Sequence, residues 1–142
     1  MKITSVVDVL IVTANLVERG WTQGELARDA ADRPVDPRAL EAVSWAADGA
    51  LYRACGGDRN LYNSAYEVVW KTFGGGLAAW NDAAGRAQSD VVQGLRRAAT
   101  AAWENPDTSP VMPKSAARWP FGIPPQPRQR GVVVGGMAPS RR

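Results

Sequence analysis

The side chains best suited to chemistry in this 142-residue chain lie at the junctions between expected helices. Loops carried by a rigid scaffold often form functional sites, so a polar and aromatic set at such junctions predicts a binding surface. Alternatively, these side chains are structural: the amide and carboxylate bond their own loop backbone, the arginines pair with neighbouring carboxylates, and the tryptophans seal the bundle ends. The set consists of Trp21, Gln23, Arg28, Asp29, Trp80, Asn81, Asp82 and Arg86.

The composition excludes most common catalytic and metal chemistries. The chain has no histidine and one cysteine, so it cannot form a Ser-His or Cys-His pair, the usual zinc ligand set or an internal disulfide. Cys55 falls near an expected helix C-terminus, where the helix dipole disfavours a thiolate. The glycines at 74–76 follow a helix and precede no Gly-Lys-Ser/Thr, which indicates a helix stop and not a phosphate loop. We therefore expect no catalytic residue, metal or cofactor.

A second candidate site lies in the C-terminal segment. Eight of the ten prolines fall within residues 105–142, which carry six Lys/Arg against one Asp/Glu, whereas residues 1–104 carry 11 against 13. We predict a helical domain over 1–104 and a disordered, basic Pro/Arg-rich tail over 105–142. A disordered tail has no hydrophobic core that would account for its apolar residues, so we interpret them as candidate contacts with a partner. The candidate binding residues of the tail are Arg118, Trp119, Phe121, Arg128 and Arg130.

Helical periodicity and capping residues indicate the elements that position the first set. We expect four helices in a compact, mainly all-α domain, with Leu77 to Trp80 able to add one further turn. The expected helices run from about Ser5 to Arg19, Pro37 to Cys55, Asp58 or Asn60 to Phe73, and Gln88 to Trp103.

Two glycines and the segment after Trp21 add detail to the predicted helices. Gly20 is expected to end the first helix in the left-handed conformation. Gly49 lies inside the second helix, which predicts a close helix-helix approach, and Leu40 and Val43 lie on that helix's apolar stripe. After Trp21 the sequence fits either a short irregular hairpin or one turn of helix.

The start of the chain bears on location. The apolar stretch from Val6 to Val17 is too short for a bilayer core, which needs about 20 residues, and Asp8 and Asn15 interrupt it. Together with the single cysteine, this predicts a cytoplasmic protein that does not enter a membrane.

Four short runs of the sequence form a recognisable pattern: Gly20-Trp-Thr-Gln-Gly24, Ala27-Arg-Asp29, Trp45-Ala-Ala-Asp-Gly-Ala-Leu51 with Arg53-Ala54, and Trp80-Asn-Asp-Ala-Ala-Gly-Arg86. Their order and spacing resemble an uncharacterised small helical family common in actinobacteria and their phages. The resemblance covers about residues 3–103. Ala46, Ala87 and Asp32 depart from the pattern, which often has Cys, Thr and Gly there. The resemblance implies an actinobacterial or phage source but no activity.

These observations favour a non-enzymatic module that engages another protein through the Trp-Asn-Asp region or the tail. The main alternative is a nucleic-acid-associated accessory protein whose tail follows phosphates. A third possibility is an enzyme that uses Asp29, Asp82 and the arginines on a charged small molecule. The sequence does not indicate an oligomeric state.

Overall fold

Five helices and a small two-stranded sheet make up the computed structural model, which describes residues 5–104. The predicted tail, with its five candidate binding residues, lies outside the described residues. None of the helices within 5–104 has the length and apolar character needed to cross a membrane. In chain order the elements are α1 Val6–Arg19, β1 Ala27–Arg28, β2 Ser44–Trp45, α2 Ala47–Cys55, α3 Arg59–Phe73, α4 Leu77–Asp82 and α5 Gln88–Glu104.

The prediction of a mainly helical domain is confirmed, and three of the four predicted helices have the expected bounds. The Ser5 hydroxyl accepts a hydrogen bond from Asp8 N–H at 3.1 Å and caps α1. Asp58, and not Asn60, caps α3 by accepting from Leu61 N–H at 3.0 Å. Gly74 then ends α3 in the left-handed conformation, with φ of 77°. The possible extra turn after the glycines is a separate short helix, α4.

The predicted start of the second helix is wrong, because α2 begins at Ala47 and not at Pro37. Asp36 accepts a bond from Arg38 N–H at 2.8 Å, which forms a local turn instead of capping a helix. Leu40 is consequently 94% exposed and does not lie on a buried stripe. Ser44 and Trp45 then run extended, which buries the Trp45 ring in the core.

The segment between α1 and α2 contains an irregular hairpin, one of the two alternatives predicted after Trp21, but its second strand, β2, lies within the stretch that was predicted as the second helix. Ala27 pairs with Trp45 and Arg28 with Ser44 in antiparallel register. Gly20 is extended, with φ of −172°, so the predicted left-handed cap is wrong. A Cβ at Gly20 would overlap with the Val43 carbonyl oxygen, so glycine is required by close packing against this hairpin.

The glycine inside α2 also packs against the hairpin. A Cβ at Gly49 would overlap with the Leu26 carbonyl oxygen and would lie 2.8 Å from its carbon. The predicted close approach therefore exists, but its partner is the backbone before β1 and not another helix. This contact fixes the hairpin to α2.

The core lies around α1, which packs against α2, α3 and α5. Leu10, Val17, Leu51, Val69 and Leu95 are all fully buried. The short α4 contacts α2 and α3 beside this core. It therefore brings residues 80–82 to the same end of the domain as the hairpin, where the candidate site lies.

Candidate functional site

A buried amide lies at the centre of the predicted junction set. The Asn81 side chain, on the last turn of α4, has no exposed surface. Its Oδ1 accepts bonds from Trp21 Nε1 at 2.8 Å and from Ala47 N–H at 3.0 Å. Its Nδ2 donates to Thr22 O at 3.1 Å and to Asp82 Oδ1 at 2.9 Å. One side chain thus joins α4, the segment after α1 and the first residue of α2.

The neighbours of Asn81 extend this connection to the surface. Gln23 Nε2 donates to the carbonyls of Asn81 at 2.9 Å and Ala83 at 3.3 Å. Asp82 Oδ1 accepts a further bond from Gly24 N–H at 3.1 Å. Gln23 and Asp82 are both exposed, so they present polar groups to solvent from a backbone held by hydrogen bonds.

Arg28 joins the same network from β1. Its Nε donates to Thr22 Oγ1 at 2.7 Å, and its two other nitrogens donate to the carbonyls of Asp32 at 3.2 Å and Gln23 at 3.3 Å. Its Nε also lies 3.9 Å from a carboxylate oxygen of Asp32, which is largely exposed. The guanidinium therefore connects the two ends of the segment from Thr22 to Asp32.

Asp29 organises the tip of the hairpin. Its carboxylate accepts bonds from Arg33 N–H at 2.8 Å, Ala31 N–H at 2.9 Å and Arg33 Nε at 2.9 Å. These interactions, led by the Arg33 backbone N–H, lower the pKa of Asp29 below its ordinary 3.8, against an opposing contribution from desolvation. Asp29 is thus an ionised turn residue at neutral pH and a poor proton acceptor.

Trp80 and Arg86 form a stacked group on the other side of Asn81. The Trp80 ring stacks on Phe73 with centroids 3.9 Å apart and planes 10° apart. Arg86 Cζ lies 4.7 Å from the Trp80 centroid, and its Nε donates to Trp80 O at 2.8 Å. A Cβ at Gly94 would lie 2.6 Å from the Trp80 ring, so this glycine makes room for the indole.

The structure joins seven of the eight predicted residues by hydrogen bonds, directly or through Thr22 and neighbouring backbone groups. The Asp29 carboxylate is not part of this network and bonds only to Ala31 and Arg33 in the hairpin. We call the predicted set the Trp-Asn-Asp end: Trp21, Gln23, Arg28, Asp29, Trp80, Asn81, Asp82 and Arg86. The structural alternative holds in part. Asn81 and Asp82 are hydrogen-bonded, although their main partners belong to residues 21–24 and α2 and not to their own loop. Arg28 does approach a carboxylate.

Thr22 and Phe73 also contribute to this end, and neither was predicted to belong to it. Thr22 supplies an acceptor for Arg28 and another for Asn81, and Phe73 supplies the surface on which Trp80 stacks. The position of Thr22 between Trp21 and Gln23 was a usable signal. Phe73 follows the buried Val69 of α3 by four positions, so its helical spacing is that of an ordinary core residue and gives no signal of this contact.

Three other titratable groups have shifted pKa values: buried Cys55 and Tyr62, and partly buried Tyr66, whose pKa is raised mainly by desolvation. Burial raises the pKa of the Cys55 thiol to about 12 and raises that of Tyr62 well above its ordinary value. Cys55 is therefore a neutral thiol at physiological pH. No group of three or more Cys, Asp or Glu residues within 5–104 is arranged to hold a metal ion.

Comparison with known proteins gives one result. No curated protein and no solved structure matches the chain. Residues 1–101 match the profile of a family described as a family of unknown function, DUF6197. This match spans the whole Trp-Asn-Asp end and most of the chain. The chain therefore belongs to the DUF6197 family of unknown function.

Proposed function

We propose that this domain is a small non-enzymatic module that binds another protein through its Trp-Asn-Asp end. The observation that carries the proposal is the network around Asn81, in which a fully buried amide fixes the backbone beneath exposed Gln23 and Asp82. A surface whose geometry is set before binding loses less conformational entropy when a partner docks. Half-exposed Trp21, Trp80 and Arg86 are residue types enriched among strong interface contacts.

Binding is favoured over catalysis by the state of the candidate reactive groups. A general acid or base acts best when its pKa lies near the working pH. The Asp29 pKa is lowered from 3.8 and the Cys55 pKa is raised to about 12, so both move away from neutrality. The carboxylate of Asp82 and the guanidinium of Arg28 hold backbone groups, which suits a scaffold.

The proposal is tested by comparing captured partners of matched variants of the full-length protein in a lysate of the source organism. Asp82→Asn retains the acceptor oxygen for Gly24 and removes the charge, and Arg86→Gln removes the guanidinium over Trp80. We expect the double variant to lose a partner that the parent retains. The control pairs Arg97→Gln with Glu104→Gln, which remove one charge of each sign from exposed positions on α5. Equal capture by the parent and the Asp82/Arg86 variant would refute the proposed site.

A second candidate follows from the charge of residues 105–142, which carry six Lys/Arg against one Asp/Glu. We propose as the alternative that this tail binds nucleic acid, with Arg118, Arg128 and Arg130 following the phosphates. A tail that instead docks in a groove of a protein partner, through Trp119 and Phe121, belongs to the protein-binding proposal above. Phosphate contacts weaken steeply with salt, whereas an apolar anchor responds little. Titration of a 105–142 peptide with duplex DNA at two salt concentrations tests the nucleic-acid proposal: affinity that falls steeply with salt supports phosphate contacts, and absence of DNA binding refutes them.

The cellular setting is also a proposal. We propose a cytoplasmic location, supported by the single cysteine and the interrupted N-terminal apolar stretch. An actinobacterial or phage source rests on the sequence resemblance alone. Fractionation of the source cells tests the location.

A further inference from the structure

Helix α4 carries three residues of the Trp-Asn-Asp end but is too short to be stable alone. It has six residues, Leu77–Asp82, whereas isolated helices of fewer than about 12 residues are marginal in water. Gly76, directly before it, has no side chain that could cap the first turn. The position of α4 therefore depends on contacts that other elements supply.

Tyr66, in the middle of α3, supplies one of these contacts at the start of α4. Its hydroxyl oxygen accepts the Leu77 N–H at 3.2 Å, so it satisfies one of the amides that a helix leaves without an intrahelical acceptor at its start. A Cβ at Gly76 would lie 3.2 Å from the same oxygen, closer than ordinary van der Waals contact, so glycine there lets the hydroxyl approach. The Tyr66 ring stacks in turn on Tyr62, with centroids 5.8 Å apart. The Tyr66 hydroxyl thus fixes where α4 begins.

Three side chains of α4 attach the rest of the helix. Leu77 and Asn81 are fully buried, and the Trp80 ring stacks on an aromatic ring of α3. Asn81 Oδ1 accepts bonds from Trp21 Nε1 and from Ala47 N–H. Donors from two other segments of the chain therefore have their acceptor on α4.

The glycines that flank α4 do not hold it in place. A Cβ at Gly74, Gly75 or Gly85 would meet no atom within 4 Å, so the chain packs against nothing at these positions. The main packing of the domain, α1 against α2, α3 and α5, does not pass through α4. Helix α4 is therefore fastened by its own side chains and by Tyr66.

We propose that Tyr66 is a positioning residue for the Trp-Asn-Asp end and that α4 opens as a unit while the rest of the domain stays folded. Opening breaks the bond to the Tyr66 hydroxyl and the bonds of Asn81 together. It releases Trp21 and with it the backbone beneath exposed Gln23, so the surface loses its fixed geometry. That consequence for binding rests on the function proposed above, whereas the opening of α4 does not.

Native-state hydrogen exchange of the full-length protein, followed by NMR, tests this without a partner. Three protons, whose hydrogen bonds all involve α4, report on its opening: the Leu77 N–H, the Trp21 Nε1–H and the Ala47 N–H. They belong to three separate segments but should share one protection factor, because a single opening exposes all of them. The Leu51 N–H, four residues further along α2, should be more protected by about tenfold or more, since it exchanges only when the domain unfolds.

Two variants assign the opening to Tyr66. Tyr66→Phe keeps the ring and removes the oxygen, so it should speed exchange of the Trp21 Nε1–H and the Ala47 N–H by roughly threefold to tenfold, the value of one hydrogen bond. Neither proton is bonded to Tyr66, so a purely local role of the hydroxyl would speed exchange of the Leu77 N–H alone. The control, Ser5→Ala, removes the cap of α1, which stays folded when α4 opens. It should speed exchange of core amides but leave the three α4 protons unchanged.

Several results would overturn this proposal. Equal protection of the three α4 protons and the Leu51 N–H would show that α4 opens only when the whole domain unfolds. Unequal protection among the three protons would show that no single opening exposes them. Faster exchange at Leu77 alone in Tyr66→Phe would remove the positioning role, and faster exchange of all three in Ser5→Ala would remove the independent opening. Failure to capture a partner would refute the proposed function and leave these results unaffected.

Discussion

Replacing Gly49 with alanine should destabilise the domain, although alanine is the better helix former. Inside a helix this exchange gains about 1 kcal/mol in intrinsic propensity. Here, however, the added Cβ overlaps with the Leu26 carbonyl oxygen, which is backbone and cannot rotate away as a flexible side chain would. The Leu26 carbonyl also accepts a bond from Ala46 N–H at 3.0 Å, so moving it disturbs the junction between β2 and α2.

The expected size follows from these opposing contributions. Overpacking costs typically 1–3 kcal/mol, and weakening the Ala46 hydrogen bond adds about 1 kcal/mol. Subtracting the propensity gain leaves a net loss of about 1–3 kcal/mol in the free energy of unfolding. For a domain of this size each kcal/mol lowers Tm by roughly 4–8 °C.

Thermal unfolding followed by circular dichroism provides the assay, and Gly75→Ala provides the control. A Cβ at Gly75 meets no atom within 4 Å. Its replacement should leave Tm unchanged or raise it slightly, because alanine restricts the unfolded chain. If Gly49→Ala instead raised Tm, glycine's helix penalty would be the dominant effect and the packing argument would be refuted.

Four further predictions concern the site, the tail and the titratable groups. Asn81→Ala should lower the free energy of unfolding, measured by urea titration, by about 2–4 kcal/mol, because Trp21 Nε1 and Ala47 N–H lose their acceptor. A loss below about 1 kcal/mol, the net value of one ordinary hydrogen bond, would contradict this prediction. Removing residues 105–142 should leave Tm nearly unchanged, and a loss of many degrees would show that the tail packs on the domain. Because burial raises the pKa of Cys55 to about 12, its thiol should react with a thiol reagent at pH 8 only as fast as the protein unfolds. Rapid labelling of the folded protein would contradict this prediction. Because the Asp29 pKa is lowered in the folded state, the ionised carboxylate stabilises the fold above pH 3.8, and this contribution is lost as pH falls through the lower folded-state pKa. Asp29→Asn should therefore make the free energy of unfolding less dependent on pH in the acid range. An unchanged pH dependence would refute this role of Asp29.

Local capping signals predicted most of the fold because they act within a few residues. Ser5, Asp58 and Gly74 bond groups three or four positions away, and each marks a helix end correctly. The second helix was expected to start at Pro37 because an aspartate followed by a proline is typical of a helix N-terminus, but the Asp36 carboxylate forms a tight turn instead. The helical spacing of Leu40 was then coincidental. Residues 44 and 45 form a strand that buries the Trp45 ring in the core, and this burial depends on tertiary packing, which local sequence signals do not show.

The candidate site could be predicted as a set of residues but not as an arrangement. Trp21 and Asn81 are 60 positions apart, and their hydrogen bond depends on how α4 meets the hairpin. A single sequence has no local signal for such a pairing. The same holds for Gly49, where the need for a small residue was predicted but the contacting backbone of Leu26 was not.

The central claim, that the Trp-Asn-Asp end is a protein-binding surface, is tested most directly by site-specific photo-crosslinking in the source cells. A photoreactive amino acid replaces the exposed Gln23 in one strain and the exposed Arg97 on α5 in another. The account predicts a discrete protein adduct from position 23 that position 97 does not give, and that Asp82→Asn with Arg86→Gln removes. No adduct at position 23, or the same adducts from both positions, would contradict it.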